Sequence, residues 1–294
     1  MRKILWLTTS SMSLEPIINS LQNYEVCEEE RIFFDKISDH YAADIVDHQV
    51  EVFQPDAILY AGPANGPFMP NPLAIRRLRD KAPIVNIICD GGCPGSHPGI
   101  EAFQKAESFT FHVNIDGMTD WPHRQKDITT LCPIDSRYYE KKPPMQDIHL
   151  GFFGGDGHKE RRDVLDSLGN QVVRGIRNEK YGSYQDYADF LMRCKYSLNM
   201  AANGSNSGMH CKARVIEVGL AGGCLLEQAD SPINRYFEPD EDYLEWRSVY
   251  GIDTILKHTT EGRRQELAAS LSRKVSLLYS ARHFWGRVFD NIPK

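Results

Sequence analysis

Short, continuous apolar runs recur along this chain, and helix-like stretches alternate with them. Residues 3–8, 56–60 and 83–89 are of strand length and lack a polar face; the third stops at Asp90-Gly91-Gly92. Between them lie amphipathic or helix-like stretches at 14–21 and 42–53 and a basic one at 73–80. Residues 31–35 add a short apolar patch, and 108–114 and 128–132 read as two more strands. A strand that is apolar on both faces must be covered on both faces. Alternation of such strands with helices therefore predicts a parallel sheet between two helical layers, an α/β fold.

The alternation breaks at Tyr139-Glu140-Lys141-Lys142-Pro143-Pro144, a charged, proline-bearing segment that reads as a linker. It then restarts. Strands are expected at 148–153, 171–175, 196–200 and 224–228, with helices at 160–168, 184–193 and 213–220. The end, 261–289, reads as helical with an aromatic face of Phe284, Trp285 and Phe289. The expected domains are 1–143 and 144–280, with 281–294 as a C-terminal helix packing back on the first. Two Rossmann-like halves would leave a cleft at the carboxyl ends of their strands, where open parallel sheets bind ligands.

Composition narrows the classes. The 294 residues are 41% hydrophobic and 25% charged, enough for two cores. A formal charge of −6 argues against a chain built mainly to coat nucleic acid. Arg76, Arg77, Arg79 and Lys81 form a local basic face, read foremost as a solvated helix surface. No run approaches the ~18 apolar residues of a membrane span, and the N-terminal run is too short for a signal peptide. The seven cysteines are odd in number and scattered, and Cys89-x-x-x-Cys93 has no second pair to complete a zinc site. Reduced thiols and a cytoplasmic location are the expectation.

Two segments carry candidate chemistry. In the first, Gly151-Phe152-Phe153-Gly154-Gly155-Asp156-Gly157-His158-Lys159-Glu160-Arg161-Arg162, a strand opens into a glycine loop and then a helix with cations in its first turn. Glycines let backbone approach a phosphate, and a helix N-terminus offers free N–H groups. The segment lacks the Lys-Ser/Thr ending of a P-loop, and a plain tight turn fits it equally. In the second, a polar loop from Asn203 to Met209 enters a helix presenting Lys212, Arg214 and Glu217, before Ala221-Gly222-Gly223 and a buried strand. Paired cations at a helix start suit a diphosphate leaving group, and a carboxylate one turn later suits ribose hydroxyls. An Arg–Glu pair on a solvated helix face is the plainer alternative.

Lys212-x-Arg214-x-x-Glu217, the small-residue turn and the strand Cys224-Leu225-Leu226-Glu227 resemble the C-terminal half of glycosyltransferases related to the spore-maturation protein CgeB. These in turn look like distant relatives of the large retaining GT-B group. The likeness includes Asn234-Arg235-Tyr236-Phe237-Glu238-Pro239-Asp240. It reaches back to Ser197-Leu198-Asn199-Met200 and more loosely to Ile87-Ile88-Cys89-Asp90-Gly91 and Pro133 to Tyr139.

The resemblance implies a GT-B fold and transfer of a hexosyl or pentosyl group from a nucleotide sugar, a UDP-sugar foremost. Glu217 would hold the ribose, and Lys212 and Arg214, with Arg161 or Arg162 and the Gly154-Gly155 turn, the diphosphate. Related retaining enzymes often carry a second glutamate upstream, where this chain has Met209 beside His210, so sugar recognition does not carry over. Asp90, at a strand end, is the candidate for binding or deprotonating an acceptor hydroxyl; an Asp-Gly-Gly turn is its bland counterpart. His97 and His112 are weaker candidates. Asp240-Glu241-Asp242 mimics a metal-binding Asp-x-Asp, but its neighbours place it on a turn, read as solvated. Protein cations then take the Lewis-acid role, with no metal or other cofactor expected. The acceptor stays open: a glycan, a protein, a small molecule or a modified DNA base. An epimerase or hydrolase of the same fold and a non-catalytic nucleotide-binding protein are the alternative readings.

Overall fold

The computed structural model describes all residues except 12, 37–41, 64–68, 142, 144, 156–157, 176–181, 203–207 and 294. The chain forms two compact units, Met1–Cys132 with Ala281–Lys294, and Pro133–Ser280.

Unit 1 runs β1 (Lys3–Thr8), α1 (Glu15–Asn19), β2 (Glu28–Phe33), α2 (Ala42–Phe53), β3 (Ala57–Ala61), α3 (Pro72–Arg79), β4 (Ile84–Ile88), α4 (His97–Lys105), β5 (Phe111–Asn114) and β6 (Ile128–Thr129). Its six strands pair in the order β2-β1-β3-β4-β5-β6, all parallel. Every residue of β3, β4 and β5 is buried, including the polar side chains of Asn86, His112 and Asn114. Leu5, Ile58, Tyr60, Phe103 and Phe109 build the core, with the Phe103 and Phe109 rings 5.0 Å apart. The edge strand β2 is different. Glu28, Glu29, Glu30 and Arg31 lie on it, and charge on an edge discourages pairing with another chain. Asn71 caps α3 by accepting from Leu73 N at 2.9 Å, ahead of Pro72. The basic face of α3 is partly ion-paired: Arg79 meets Glu107, and the following Lys81 meets Asp47 and Glu51.

Unit 2 begins earlier than the proline-bearing segment suggests. The division falls at Cys132/Pro133 because a short 3₁₀ turn, Ser136–Tyr139, already belongs to unit 2. Asp135 caps that turn, and buried Tyr139 is hydrogen-bonded to the Tyr184 hydroxyl at 3.0 Å. Then follow β7 (Ile148–Phe153), α5 (Lys159–Leu168), β8 (Val173–Gly175), α6 (Tyr184–Arg193), β9 (Cys194–Leu198), α7 (Arg214–Ala221), β10 (Cys224–Gln228), β11 (Leu244–Trp246), α8 (Val249–His258) and α9 (Glu261–Leu278). The sheet order is β11-β10-β9-β7-β8, again all parallel. Ser183 and Asp186 form a reciprocal capping box on α6. Gly222, at φ 78°, ends α7 in the left-handed conformation that glycine adopts without steric cost, and β10 follows directly.

Asp242 departs from its expected solvated state. It is 0% exposed and binds Lys274 Nζ at 2.5 Å, Ser270 Oγ at 2.7 Å and the Glu238 N–H at 2.8 Å. The acidic turn is thereby anchored to α9, with its last carboxylate facing inward.

The C-terminal stretch is two helices, not one. After a break at Tyr279-Ser280, α10 (Ala281–Asp290) is part of unit 1. Trp285 is fully buried, 5.7 Å from the Trp6 ring in an edge-on contact, and donates its indole N–H to Ser20 Oγ at 2.8 Å. Phe289 stacks on Tyr24 at 5.6 Å.

Candidate functional site

The carboxyl end of the unit 2 sheet collects the cations. Strand β7 ends at Phe153 and runs into Gly154 and Gly155. Gly154 N–H donates to Gly175 O at 3.1 Å, which ties the turn to the end of β8. A Cβ on Gly154 would stand 3.1 Å from the Phe152 ring, crowding it, and 3.7 Å from Arg214 Nη2, an ordinary contact. Around Gly155 nothing lies within 4 Å of a Cβ, which leaves open space over the turn.

Two guanidiniums converge on this turn. Arg161, in the first turn of α5, donates from Nη1 to Gly155 O at 2.7 Å. Its guanidinium carbon is 5.8 Å from the centre of the Phe152 ring, and that of Arg214, which opens α7, is 5.6 Å from the same ring. Burial, and then the like charge of Arg214, hold the Arg161 pKa below its ordinary value. Two like charges in a partly desolvated place are relieved by an anion between or beside them. A cavity of about 170 Å³ adjoins Arg161, lined also by His158, Val164, Met200, Gln228 and Trp246.

Lys212 and Glu217 are placed differently from the expectation. Lys212 Nζ is hydrogen-bonded to His210 Nε2. Glu217 is 6% exposed, and its carboxylate turns inward: Oε1 accepts from Tyr184 Oη at 2.7 Å and Oε2 from Tyr187 Oη. Tyr187 Oη in turn accepts from Arg214 Nε at 3.3 Å. Each carboxylate oxygen thus has one lone pair taken by a phenol. Sequence reasoning missed Tyr184 and Tyr187 altogether. Their i, i+3 spacing on an amphipathic helix was the available signal, since it puts both hydroxyls on one face.

Glu227, near the end of β10, is buried and accepts from Asn199 Nδ2 at 2.7 Å. Burial pushes its carboxyl up to about 7, against the Asn199 hydrogen bond and the charges of Arg214 and Lys212. The motif's acidic residue therefore shares the electrostatic neighbourhood of both cations. The polar loop residues Asn203 to Ser207, and Asp156 and Gly157 of the glycine loop, lie outside the described residues.

Unit 1 presents an acidic turn. Asp90 is exposed, just past the end of β4. The turn is shaped from below by buried Asp116, whose Oδ2 accepts from Gly92 N at 2.8 Å. Its Oδ1 accepts from Asn114 Nδ2 at 2.6 Å and Met118 N at 2.9 Å. His97 Nε2 is hydrogen-bonded to Gly91 O at 3.0 Å, a structural task. His112 is fully buried against Asn86, and burial drops its pKa to about 4. Among the described residues no group of three or more His, Cys, Asp or Glu side chains is placed to hold a metal. No helix among them is long and apolar enough to cross a membrane.

Two parallel-sheet α/β units define a protein of the GT-B fold class, and solved structures of that class superpose on the whole chain. Anabaena HepE in complex with UDP and glucose matches with a TM-score of 0.67 at 10% identity, covering 99% of this chain and 100% of its own. An α-glucosyltransferase in complex with UDP and a 13-mer DNA containing an A:G mismatch gives 0.62 at 10% identity, covering 100% of both chains. Sucrose-phosphate synthase of Thermosynechococcus elongatus gives 0.60 at 10% identity, covering 99% of this chain and 98% of its own. More particularly, residues 145–290, just under half of the chain, match the family described as Glycosyl transferase-like. No curated protein matches the sequence.

Proposed function

We propose that this chain is a glycosyltransferase that binds a nucleotide sugar, a UDP-sugar foremost, at the carboxyl end of the unit 2 sheet and transfers its glycosyl group to an acceptor hydroxyl. The observation that carries the reading is the pair Arg161 and Arg214, like charges flanking Phe152 over the Gly154-Gly155 turn. The family match over 145–290, which takes in most of unit 2 and α10, supports it, and so do structural neighbours of the same fold that were solved with UDP.

In the proposed reaction the bond between sugar C1 and the β-phosphate oxygen breaks, and the bond between C1 and the acceptor oxygen forms. The diphosphate leaves with its developing charge neutralised by Arg161 and Arg214, with Lys212 adding positive potential, so that these side chains do the work a metal ion does elsewhere. The acceptor proton passes to the Asp90 carboxylate of unit 1. Retention of anomeric configuration, which the resemblance to the retaining GT-B group implies, requires the acceptor oxygen to enter on the same face of the sugar from which the diphosphate leaves. Glu217 supports this arrangement from beneath rather than touching the ribose.

Thermal unfolding against a panel of nucleotides and nucleotide sugars tests the reading. UDP at a hundred times its Kd should stabilise unit 2 by about 2.7 kcal/mol. A chain whose melting is indifferent to every nucleotide is not this enzyme. Product formed from donor alone, with no acceptor present, would point instead to an epimerase (an epimeric nucleotide sugar) or a hydrolase (free sugar).

A further inference from the structure

A buried chain of polar groups runs through unit 2 to Arg214. Tyr139, Tyr184 and Glu217 are all buried, as is Tyr187. Each phenol has one proton to give, which fixes the direction of every bond in the chain. Tyr184 spends its proton on Glu217 Oε1 and Tyr187 spends its own on Glu217 Oε2. Tyr139 must therefore be the donor in the 3.0 Å bond to Tyr184. The Tyr187 oxygen, its proton committed, has only lone pairs to offer, and Arg214 Nε–H donates to it at 3.3 Å.

The geometry points to Tyr187, Tyr184, Glu217 and Tyr139 as positioning residues that aim the Arg214 guanidinium at the nucleoside diphosphate. The Nε edge of Arg214 is held by Tyr187, and the Nη2 end stands beside the Gly154-Gly155 turn. An arginine grips phosphate best when its fork is held in one plane and direction. A displacement near 1 Å in such a group costs about a hundredfold in rate. A buried carboxylate that closes two phenol bonds is a stiff support, because bonds in such a network polarise one another. The surrounding rings restrict it further: Phe153 lies 4.3 Å from Tyr187, and Tyr138 lies 4.8 Å from Tyr184.

The inference rests on the nucleotide-sugar reading, and its test keeps the two apart. Binding of UDP and pyrophosphate is measured by calorimetry, and of uridine by ligand-observed NMR, on the wild type, Tyr187→Phe, Glu217→Gln and Tyr139→Phe. Tyr187→Phe keeps the ring and removes the hydroxyl. UDP and pyrophosphate Kd should rise about tenfold, a change of about 1.4 kcal/mol, while uridine binding stays unchanged. Tyr139→Phe, at the far end, should give about a threefold rise, since it loses one neutral hydrogen bond three links away.

UDP affinity within twofold of wild type in Tyr187→Phe overturns the inference. So does uridine binding that weakens in step with UDP, because that signature belongs to general damage. Loss of uridine binding in Glu217→Gln overturns it too, by returning Glu217 to the ribose. Should Tyr187→Phe fail to fold, Tyr139→Phe decides by the same phosphate-selective criterion. A wild type that binds neither UDP nor pyrophosphate brings down the nucleotide reading as well. A wild type that binds both, with variants that do not differ from it, brings down the positioning role alone.

Discussion

The two units end their sheets on similar glycine turns with opposite charge. In unit 1, β4 runs into Asp90-Gly91-Gly92, an exposed carboxylate on a turn held by buried Asp116. In unit 2, β7 runs into Gly154-Gly155, where Arg161 and Arg214 converge. Each unit also holds a buried carboxylate, and burial raises the pKa of both. Asp116 accepts three hydrogen bonds, two of them from backbone N–H groups. Glu227 lies deeper in β10 and is pushed up to about 7 by burial. The same strand-turn design thus provides an acidic end suited to a proton and a cationic end suited to phosphate. Fold alone leaves that division of labour undecided; the side chains at the turn set it.

Four substitutions break or sharpen the contrast. Asp90→Asn removes the proposed proton acceptor and none of the residues proposed to hold the donor. Turnover should fall by about 10²–10⁴-fold with UDP affinity unchanged, measured by initial rates beside calorimetry. Unimpaired turnover would take the acid–base task away from unit 1. Arg214→Ala acts at the other end. Both UDP binding and turnover should weaken, turnover by about 10²–10³-fold, while the melting curve keeps its cooperative form. Full activity at saturating nucleotide sugar would remove the phosphate role.

Glu227→Gln addresses the buried carboxylates. Its folded pKa near 7 lies above the ordinary 4.5, so the native state binds more protons than the unfolded chain between those values. Stability therefore falls as pH rises from about 4.5 through 7, by about 3 kcal/mol in all. The glutamine variant should lose that slope and melt higher than wild type at pH 8, which denaturant titration across the range reads directly. An unchanged slope would mean that Glu227 titrates normally. The mildest change is Gly154→Ala, whose Cβ meets Phe152 at 3.1 Å. Overpacking of this kind costs about 1–3 kcal/mol of stability, so the variant should unfold at lower denaturant, and displacement of the turn should weaken UDP binding by up to about tenfold.

Much of the architecture was legible because parallel strands buried on both faces leave continuous apolar runs. Residues 148–153, 184–193 and 224–228 were bounded correctly, and those elements frame the cationic turn. Strand β2 was seen only as an apolar patch because its edge position tolerates Glu28, Glu29 and Glu30, which erase the apolar signal. Helix α4 was missed because His97-Pro98-Gly99 at its start reads as a breaker, although proline in a first turn loses no hydrogen bond. Strand β11 is three residues long, too short to show a period.

At the site, the glycine turn and the two arginines could be picked out from local spacing. The support beneath them could not. Glu217 meets tyrosines 33 and 30 residues upstream, a distance over which residue pattern carries no pairing information. Asp242 misled for a related reason: three successive acidic residues look solvated until Lys274, far along the chain, comes to cover one of them.

The place of Trp285 in the core of unit 1 bears on how the molecule is made. Residues 133–280 leave the ribosome before α10 does, and at ordinary elongation rates that interval is roughly 10–30 s. Throughout it the nascent N-terminal sheet has Trp6 uncovered on the side that Trp285 will occupy. The contiguous unit can close its own core in the meantime. A growing chain in this state displays a sticky aromatic face for seconds, which is the kind of surface that holding chaperones bind.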